Sequence, residues 1–260
     1  MESSKLFWEE LCGTYAFNRL GLKEINRENI KLFDDYYWNY YPYLKKYLSI
    51  PEIEKKNVLE IGLGFGTVSQ YLFENAKSYV GVDFSINPCN IVNQRIAWSN
   101  KINQTNTAIN ADAKFLPFSD KSFDFVVSIG CLHHTGDTQK SIDEVFRVLK
   151  PDGECLIMLY NKKSYRRKLS YLLFKKDLLL GLTQHKNFSN YVKSLYDSNS
   201  SGDAAPIIDF YSIAELKLMF SKFSSTNFHL ENNNIRHIRK YLLNNFSKYF
   251  GLDTYISAKK

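Results

Sequence analysis

Three glycines and one carboxylate in the first half of the chain have the spacing of a ligand-binding loop. The apolar run Val58 to Ile61 leads into Gly62, Gly64 and Gly66, which is typical of a buried parallel strand that breaks into a tight turn. Glycine lets the backbone approach a ligand that any Cβ would repel. Further along, Asp83 ends a second apolar run, where a carboxylate can accept hydrogen bonds from both hydroxyls of a ribose. These residues predict a nucleoside-containing cofactor at the carboxyl edge of a parallel sheet.

The glycine spacing distinguishes between two cofactor classes. Nicotinamide dinucleotide sites follow G-x-G-x-x-G, whereas here the third glycine comes one residue early, at Gly66, and Thr67 follows it. Glu60, inside the end of the strand, is an unfavourable neighbour for a pyrophosphate because like charges repel. The same carboxylate suits a ligand that carries an ammonium and a sulfonium. The loop therefore favours S-adenosyl-L-methionine over a nicotinamide dinucleotide.

At these residues the chain resembles the class I S-adenosylmethionine-dependent methyltransferases. The order of strand and turn signals follows that family from about Asn57 to Asn161. The resemblance implies cofactor contacts from Glu60, Gly62, Gly64 and Gly66 at the methionine moiety, Asp83 and Phe84 at and beside the ribose, Asp112 and Ala113 at the adenine, and Ser128 and Gly130 below the methyl group.

Two adjacent histidines are the candidates for a general base. Methyl transfer is an in-line displacement, which needs a base only when the acceptor is a poor nucleophile. His133 and His134 follow the fourth predicted strand, in a segment similar to the L-H-H-T of some methyltransferases at that position. The pKa of histidine near neutrality suits proton abstraction. We expect at most one of them to be catalytic, and oxygen, nitrogen and carbon acceptors all stay open.

Aromatic residues outside the loop are candidates for substrate contacts. The N-terminal region is rich in aromatic residues, and the resemblance implies that such a segment lies across the cofactor pocket. Its Cys12-Gly13-Thr14 segment, followed by an aromatic helix, resembles small-molecule and natural-product methyltransferases. The alternative for most of these aromatic side chains is core packing. The predicted substrate-binding residues are Tyr37, Trp38, Tyr160 and Tyr211.

The elements that must position these residues alternate between strand and helix, which predicts a parallel sheet with right-handed crossovers. The resemblance implies an α/β fold with a Rossmann-like seven-stranded sheet, mostly parallel with an antiparallel last strand. We divide the chain into an N-terminal helical cap (1–50), a cofactor-binding core (51–161), a helical insertion or substrate cap (162–223) and C-terminal strands (224–260).

The pattern after the fifth strand predicts individual elements. We expect a helix over 165–182 and a polar loop over 189–205. Ser212 and Glu215 form a capping box at the start of a helix over 213–223. A strand over 224–231, a helix over 236–250 and a terminal strand over 254–258 complete the prediction.

Composition excludes some function classes and leaves others open. Of the 260 residues, 44% are hydrophobic and 23% charged, which is ordinary for a globular protein. The net charge of +7 permits contact with nucleic acid or an anionic membrane, but the lysines are spread along the chain, so we favour a small-molecule substrate. An RNA methyltransferase is the first alternative, although no N-P-P-Y or D-P-P-Y segment follows the fourth strand. A non-catalytic S-adenosylmethionine-binding partner subunit is the second.

Several signals point to a reduced, cytoplasmic setting. The four cysteines form no C-x-x-C pair, no histidine has metal-ligand spacing, and no signal peptide or membrane-spanning stretch is recognisable. We therefore expect free thiols and no metal. The leucine-rich and lysine-rich stretch from Lys168 to Leu182 could lie on a membrane surface. Packing against its own domain is the interpretation that we favour for it.

Overall fold

The computed structural model describes residues 2–10, 14–99, 105–185, 187–193, 195–199, 203–232 and 251–260. Its described strands form one sheet in the order β3-β2-β1-β4-β5-β7-β6. All neighbours pair in parallel except β7, which is antiparallel to both β5 and β6. The predicted fold class is confirmed. The strands are β1 (Asn57–Ile61), β2 (Ser78–Asp83), β3 (Thr107–Asn110), β4 (Phe123–Ile129), β5 (Leu149–Tyr160), β6 (Ser225–Glu231) and β7 (Asp253–Lys259).

The helices fall into three groups along the chain. Before the sheet come α1 (Glu2–Glu9), α2 (Thr14–Arg19), α3 (Arg27–Tyr40) and α4 (Leu44–Leu48). The crossovers within the sheet contain α5 (Thr67–Asn75), α6 (Ile86–Trp98) and α7 (Thr138–Val148). After β5 come α8 (Tyr165–Leu179), α9 (Phe188–Lys193) and α10 (Ile213–Met219), and two 3-10 turns cover Ile53–Lys55 and Leu132–His134.

The local signals at element ends explain several of these boundaries. The Asn26 side chain accepts a hydrogen bond from the backbone N–H of Asn29 and so caps α3. The capping box predicted at Ser212 and Glu215 is present at the start of α10.

Four elements of the structure differ from what the sequence pattern suggests. The polar stretch expected to be a loop contains helix α9. Strand β5 begins before the Pro-Asp-Gly turn: Leu149 pairs with Phe123 and Glu154 with Phe125, so the residues between them bulge out of the ladder. Helices α8 and α10 end at Leu179 and Met219, before their predicted ends. The predicted helix over 236–250 and the Cys12-Gly13 segment lie outside the described residues.

The sheet is buried on both faces, which fixes the positions of its strand ends. Successive residues of β1 point to opposite faces, and both Val58 and Leu59 are fully buried. Val58 packs with Leu72 of α5 and Val92 of α6, whereas Leu59 packs with residues of α7 and α10. Each fully buried aliphatic side chain contributes about 1.5–3 kcal/mol. In the described part of the chain, no helix is both long and apolar enough to cross a membrane.

Candidate active site

A cavity of about 420 Å³ lies at the carboxyl ends of β1, β2 and β4. This volume is typical of small-molecule sites, which occur at this edge of open α/β sheets. One side of the cavity is formed by the glycine loop and the ends of the strands. The other side is formed by aromatic residues of α1 and α3, the helices that precede the sheet.

The glycine loop has backbone angles that favour glycine. Gly62, Gly64 and Gly66 have φ values of +87°, +50° and +76°. A Cβ on Gly62 would lie 2.4 Å from the Cβ of Cys131, so the loop packs tightly against the segment that follows β4. Gly62 and Gly64 line the cavity. Gly66 does not: a Cβ there would lie 2.9 Å from Val92 Cγ2, so this glycine permits close packing of α5 on α6.

The Asp83 carboxylate holds the loop in place from the end of β2. Its Oδ2 accepts a hydrogen bond from Leu63 N at 2.8 Å, and its Oδ1 accepts one from Ser85 N at 2.9 Å. Burial raises the pKa of Asp83, and these backbone hydrogen bonds oppose that rise. A carboxylate has about four acceptor positions, so these bonds leave Asp83 able to accept from a ribose hydroxyl as well. Asp83 and the neighbouring Phe84 both line the cavity.

The adenine end of the predicted site is tied to the histidine segment. Asp112 and Ala113 line the cavity. Lys114 N donates to Asp112 Oδ1 at 2.9 Å, and Lys114 Nζ donates to Thr135 O at 2.9 Å. Gly130 also lines the cavity, with φ +72°.

Ser128, the other predicted floor residue, lies away from the cavity wall. Its hydroxyl is buried and donates to Ile61 O at 2.9 Å. This hydrogen bond ties β4 to β1 below the glycine loop. The residue therefore supports the floor of the site through its hydrogen bond to β1.

Glu60 lines the cavity but is largely buried beneath the loop. Tyr79 Oη donates to Glu60 Oε2 at 2.5 Å. Burial raises the pKa of Glu60 to about 7, and hydrogen bonds from Ser69 and Tyr79 oppose the rise. The charge that the sequence places beside the loop is therefore sensitive to pH near neutrality.

An ion pair fastens α3 to the core. The Arg95 guanidinium, buried on α6, donates to both carboxylate oxygens of Asp34 at 2.8 and 2.9 Å. Thr67 Oγ1 donates to Asp34 Oδ1 at 2.5 Å, and Gln70 Oε1 accepts from Arg95 at 2.7 Å. The first turn of α5 and the helix that carries the aromatic wall are therefore held by one polar network.

The aromatic wall includes only part of the predicted set. Tyr37 lines the cavity, together with Phe33, Tyr36, Tyr40, Tyr41 and, from α1, Trp8. Trp38 does not, because at about 100° per residue it lies about 160° around the helix from Tyr36 and Tyr40. Its ring instead faces Tyr71, at 6.2 Å, and Lys45 Nζ, at 4.9 Å.

The two histidines have different surroundings. His134 lines the cavity, with its ring 4.7 Å from that of Trp8. Its Nδ1 lies 2.7 Å from Ile207 O, and because a carbonyl oxygen can only accept, Nδ1 carries the proton. Its Nε2 lies 3.6 Å from Asp197 Oδ2. His133 has no exposed surface and lies off the cavity wall, and burial keeps its pKa well below the usual value.

Tyr160 and Tyr211 lie behind the histidines and not on the cavity wall. Tyr160 Oη donates to Asp197 Oδ2 at 2.9 Å, and its ring packs 4.1 Å from His133. Tyr211 N donates to Tyr160 O at 3.0 Å, so the backbone of Tyr211 pairs with the carboxyl end of β5. Both tyrosines support the segment that carries His134.

Asp197 is the residue that the sequence pattern did not single out. It lies in a stretch of Asp, Ser, Asn and Gly that predicts a solvated loop. The chain folds back after α9 and brings this carboxylate to His134 and Tyr160. No spacing signal in the sequence relates these three residues. Among the described residues, no group of three or more His, Cys, Asp or Glu side chains could hold a metal ion.

Comparison with known proteins places residues 59–157 in the family model described as a methyltransferase domain. Phosphoethanolamine N-methyltransferase 2 of Caenorhabditis elegans is 33% identical over 108 residues, which are 41% of this chain and 24% of that protein. Demethylmenaquinone methyltransferase of Clavibacter sepedonicus is 31% identical over 109 residues, which are 42% of this chain and 43% of that protein. The matched region thus spans less than half the length of either relative.

Solved structures share the fold over most of the chain. A structure of an S-adenosylmethionine-dependent methyltransferase from Methanosarcina mazei has a TM-score of 0.57 and 24% identity. The superposition covers 85% of this chain and 97% of that one. The shared fold therefore extends beyond the matched residues 59–157.

Proposed function

Because residues 59–157 are a methyltransferase domain of the class I S-adenosylmethionine-dependent family, we propose that this chain methylates a small, largely apolar molecule. The observation that carries the proposal is the two-sided cavity. A glycine loop with Asp83 and Asp112 forms one side, and aromatic side chains of α1 and α3 form the other. The first side suits the cofactor, and the second suits an apolar acceptor.

The cofactor of this domain is S-adenosyl-L-methionine, which supplies an electrophilic methyl group on a sulfonium. The residues present fit it. Asp83 retains acceptor positions for the ribose hydroxyls, and Asp112 faces the cavity where an adenine amino group can donate. Gly62 brings the backbone to the ligand without a Cβ, and Glu60 provides a carboxylate for the ammonium.

The acceptor side is predominantly aromatic, which selects for acceptor chemistry. Tyr36, Tyr37 and Tyr40 come from one face of α3, and Trp8 approaches from α1. Aromatic rings bind flat apolar groups and also cations over their faces. Among the described residues, this wall consists of aromatic rather than basic side chains, so a small molecule fits it better than the phosphodiester backbone of RNA.

His134 is our candidate for the base if the acceptor must lose a proton. Its Nδ1–H is committed to Ile207 O, so Nε2 is the nitrogen that can accept. A protonated ring would have Asp197 at 3.6 Å, which stabilises the imidazolium. Asp197 is held in turn by Tyr160. In this proposal Asp197 and Tyr160 position His134 and do not contact the acceptor.

The test measures cofactor binding and turnover separately. Calorimetry with adenosylhomocysteine and with NAD should give binding heat for the first only. A panel of amines, phenols and quinols is then screened for formation of adenosylhomocysteine. His134→Gln should lower turnover while leaving the affinity for adenosylhomocysteine unchanged, with Leu218→Gln, a substitution at an exposed residue of α10, as the control.

Three outcomes would count against the proposal. Heat with NAD and none with adenosylhomocysteine would contradict the cofactor assignment. Methyl transfer to bulk RNA, accompanied by a salt-sensitive gel shift, would favour the RNA methyltransferase alternative. Tight binding of adenosylhomocysteine with no turnover on any class of acceptor would favour the non-catalytic partner subunit.

A further inference from the structure

Helix α8 carries leucines that the fold leaves exposed. The sequence pattern predicted that this stripe packs against its own domain, but only Ser170 and Phe174 of α8 are buried. Leu172 is 64% exposed and Leu179 is 86% exposed. The segment continues past the helix end, where Leu180 and Leu182 are also exposed. An isolated exposed leucine is ordinary, whereas a contiguous set marks a contact surface.

The exposed leucines and the lysines share one face. Leu172 and Leu179 are seven residues apart, so they lie one above the other on the outer face of α8. Lys168 lies four residues before Leu172, and Lys175 lies four residues before Leu179, so both lysines flank the same face. From 165 to 182 the sequence has one acidic residue, Asp177, and five basic residues; the two arginines contact aromatic rings of the domain, and the three lysines are exposed. The outer surface of α8 is therefore both apolar and cationic.

The charge of this surface selects its partner. A second copy of the chain, docked through the same patch, would bring lysines against lysines and be repelled. An anionic lipid surface meets both features, because leucines enter the acyl boundary while lysine ammonium groups reach the phosphates. Long lysine side chains can extend in this way from an apolar face.

The base of α8 is fixed to the cavity side of the molecule. The Arg167 guanidinium lies 4.4 Å from the centre of the Phe210 ring, and Ser164 caps the helix. Tyr191 of α9 donates to Asp177 at 3.0 Å, and the chain then continues to Asp197 beside His134. The exposed leucines therefore belong to the insertion that also supplies Ile207 and Asp197, the two residues beside the His134 ring.

We propose that the outer face of α8 and the following Leu180–Leu182 segment dock this protein on anionic lipid surfaces. The helix lies in the plane of the headgroups, with Leu172, Leu179 and Leu180 entering the acyl boundary. This interaction surface does not depend on the acceptor or on methyl transfer.

The test is flotation of the full chain with vesicles. The probes are vesicles of phosphatidylcholine alone and of phosphatidylcholine with roughly 30% phosphatidylglycerol, which gives the second set an anionic surface. The unmodified protein should float with the anionic vesicles and stay in the lower fraction with neutral ones. Raising the salt to about 0.5 M should weaken binding, since screening shortens the reach of the charges.

Two variants and a matched control distinguish lipid docking through α8 from nonspecific adsorption to vesicles. The variant Leu172→Gln/Leu179→Gln should lose most of the binding. Lys175→Gln/Lys176→Gln should lose about fivefold per lysine on anionic vesicles. Leu218→Gln removes a leucine that is 76% exposed on α10 and should bind as the unmodified protein does. Unchanged melting temperatures would show that each variant is folded.

Results of two kinds would overturn the proposal. The first is the absence of flotation with anionic vesicles, or equal loss of binding in the Leu218 control. The second is a dimer in light scattering that Leu172→Gln/Leu179→Gln converts to a monomer without any vesicle binding, since the leucines would then cover a second copy. Turnover and adenosylhomocysteine binding are measured independently, so failure here leaves the proposed function standing.

Discussion

Glu60 is the residue through which pH should act on both folding and cofactor binding. Its carboxyl is buried under the glycine loop, and burial raises its pKa to about 7. In the unfolded chain its pKa returns to the ordinary value for a glutamate, 4.5. The folded protein therefore binds the proton more tightly, so the contribution of Glu60 to stability is greatest below pH 4.5 and falls as the pH rises towards 7.

The size of this effect follows from the two pKa values. Integrated from pH 5 to pH 8, ionisation of Glu60 costs the folded state about 2.5 kcal/mol. Glu60→Gln keeps an acceptor for Tyr79 Oη and cannot ionise. The stability of the variant relative to the unmodified protein should therefore rise by about 2.5 kcal/mol over that range, as measured by urea unfolding at each pH.

Cofactor affinity should depend on the same ionisation, but it should rise with pH, whereas the stability falls. The ammonium of adenosylhomocysteine favours the ionised carboxylate, whose population increases roughly tenfold between pH 6 and pH 8 for a pKa near 7. The affinity should rise by about that factor in the unmodified protein and stay flat in Glu60→Gln. Calorimetry in two buffers of different ionisation enthalpy should also detect proton release on binding near pH 7.

Glu144 provides a control of opposite sign. It is also buried, but hydrogen bonds from Arg147 lower its pKa. Glu144→Gln should therefore lose stability at neutral pH, and the loss should shrink as the pH falls through the lowered pKa. If Glu60→Gln shows the same pH dependence of stability and affinity as the unmodified protein, the assignment of the titration to Glu60 is wrong.

Three further predictions test the loop, the cap and the histidine. Gly62→Ala should destabilise the protein and abolish adenosylhomocysteine binding, because its Cβ would lie 2.4 Å from the Cβ of Cys131. The control is Gly21→Ala, which has a similar φ but no heavy atom within 4 Å of the added Cβ, and it should lower the free energy of unfolding in urea by only about 1 kcal/mol. Asp34→Ala should cost about 3–5 kcal/mol in the same assay because it leaves Arg95 buried without its partner, and a cost under 1 kcal/mol would contradict this view of the ion pair. Asp197→Asn should lower kcat without changing adenosylhomocysteine affinity, because the carboxylate lies 3.6 Å from His134 Nε2, and an unchanged kcat would remove Asp197 from the proposal.

The cofactor side could be predicted from the sequence because its determinants are local. An apolar strand that ends in glycines, and an acid at the end of the next strand, are adjacent in space whenever the two strands pair in parallel. Asp83 and the loop meet for that reason, and their hydrogen bond at Leu63 N follows from the pairing. The family resemblance and the fold class, both confirmed, rest on the same local pattern.

The acceptor side could not be predicted in the same way, because long-range contacts decide it. The sequence shows two histidines in a row, but only the packing of Ile207 and Tyr160 decides that His134 faces the cavity and His133 the core. Trp38 and Tyr37 differ by one position on a helix whose orientation is set by Asp34 and Arg95. Neither the contacts of these side chains nor the directions in which they point can be read from the spacing of residues along the sequence.

This difference between the two sides has a consequence for how the protein can change. The cofactor cradle is held by backbone hydrogen bonds to Asp83, which tolerate few substitutions. The acceptor wall is attached through side-chain contacts: Asp34 to Arg95, and Glu9 of α1 to the backbone N–H groups of Ile86 and Asn87. Substitutions that reposition α1 or α3 should therefore change which acceptor fits while cofactor affinity is retained. We therefore expect aromatic residues on α3, rather than residues of the sheet, to determine acceptor specificity.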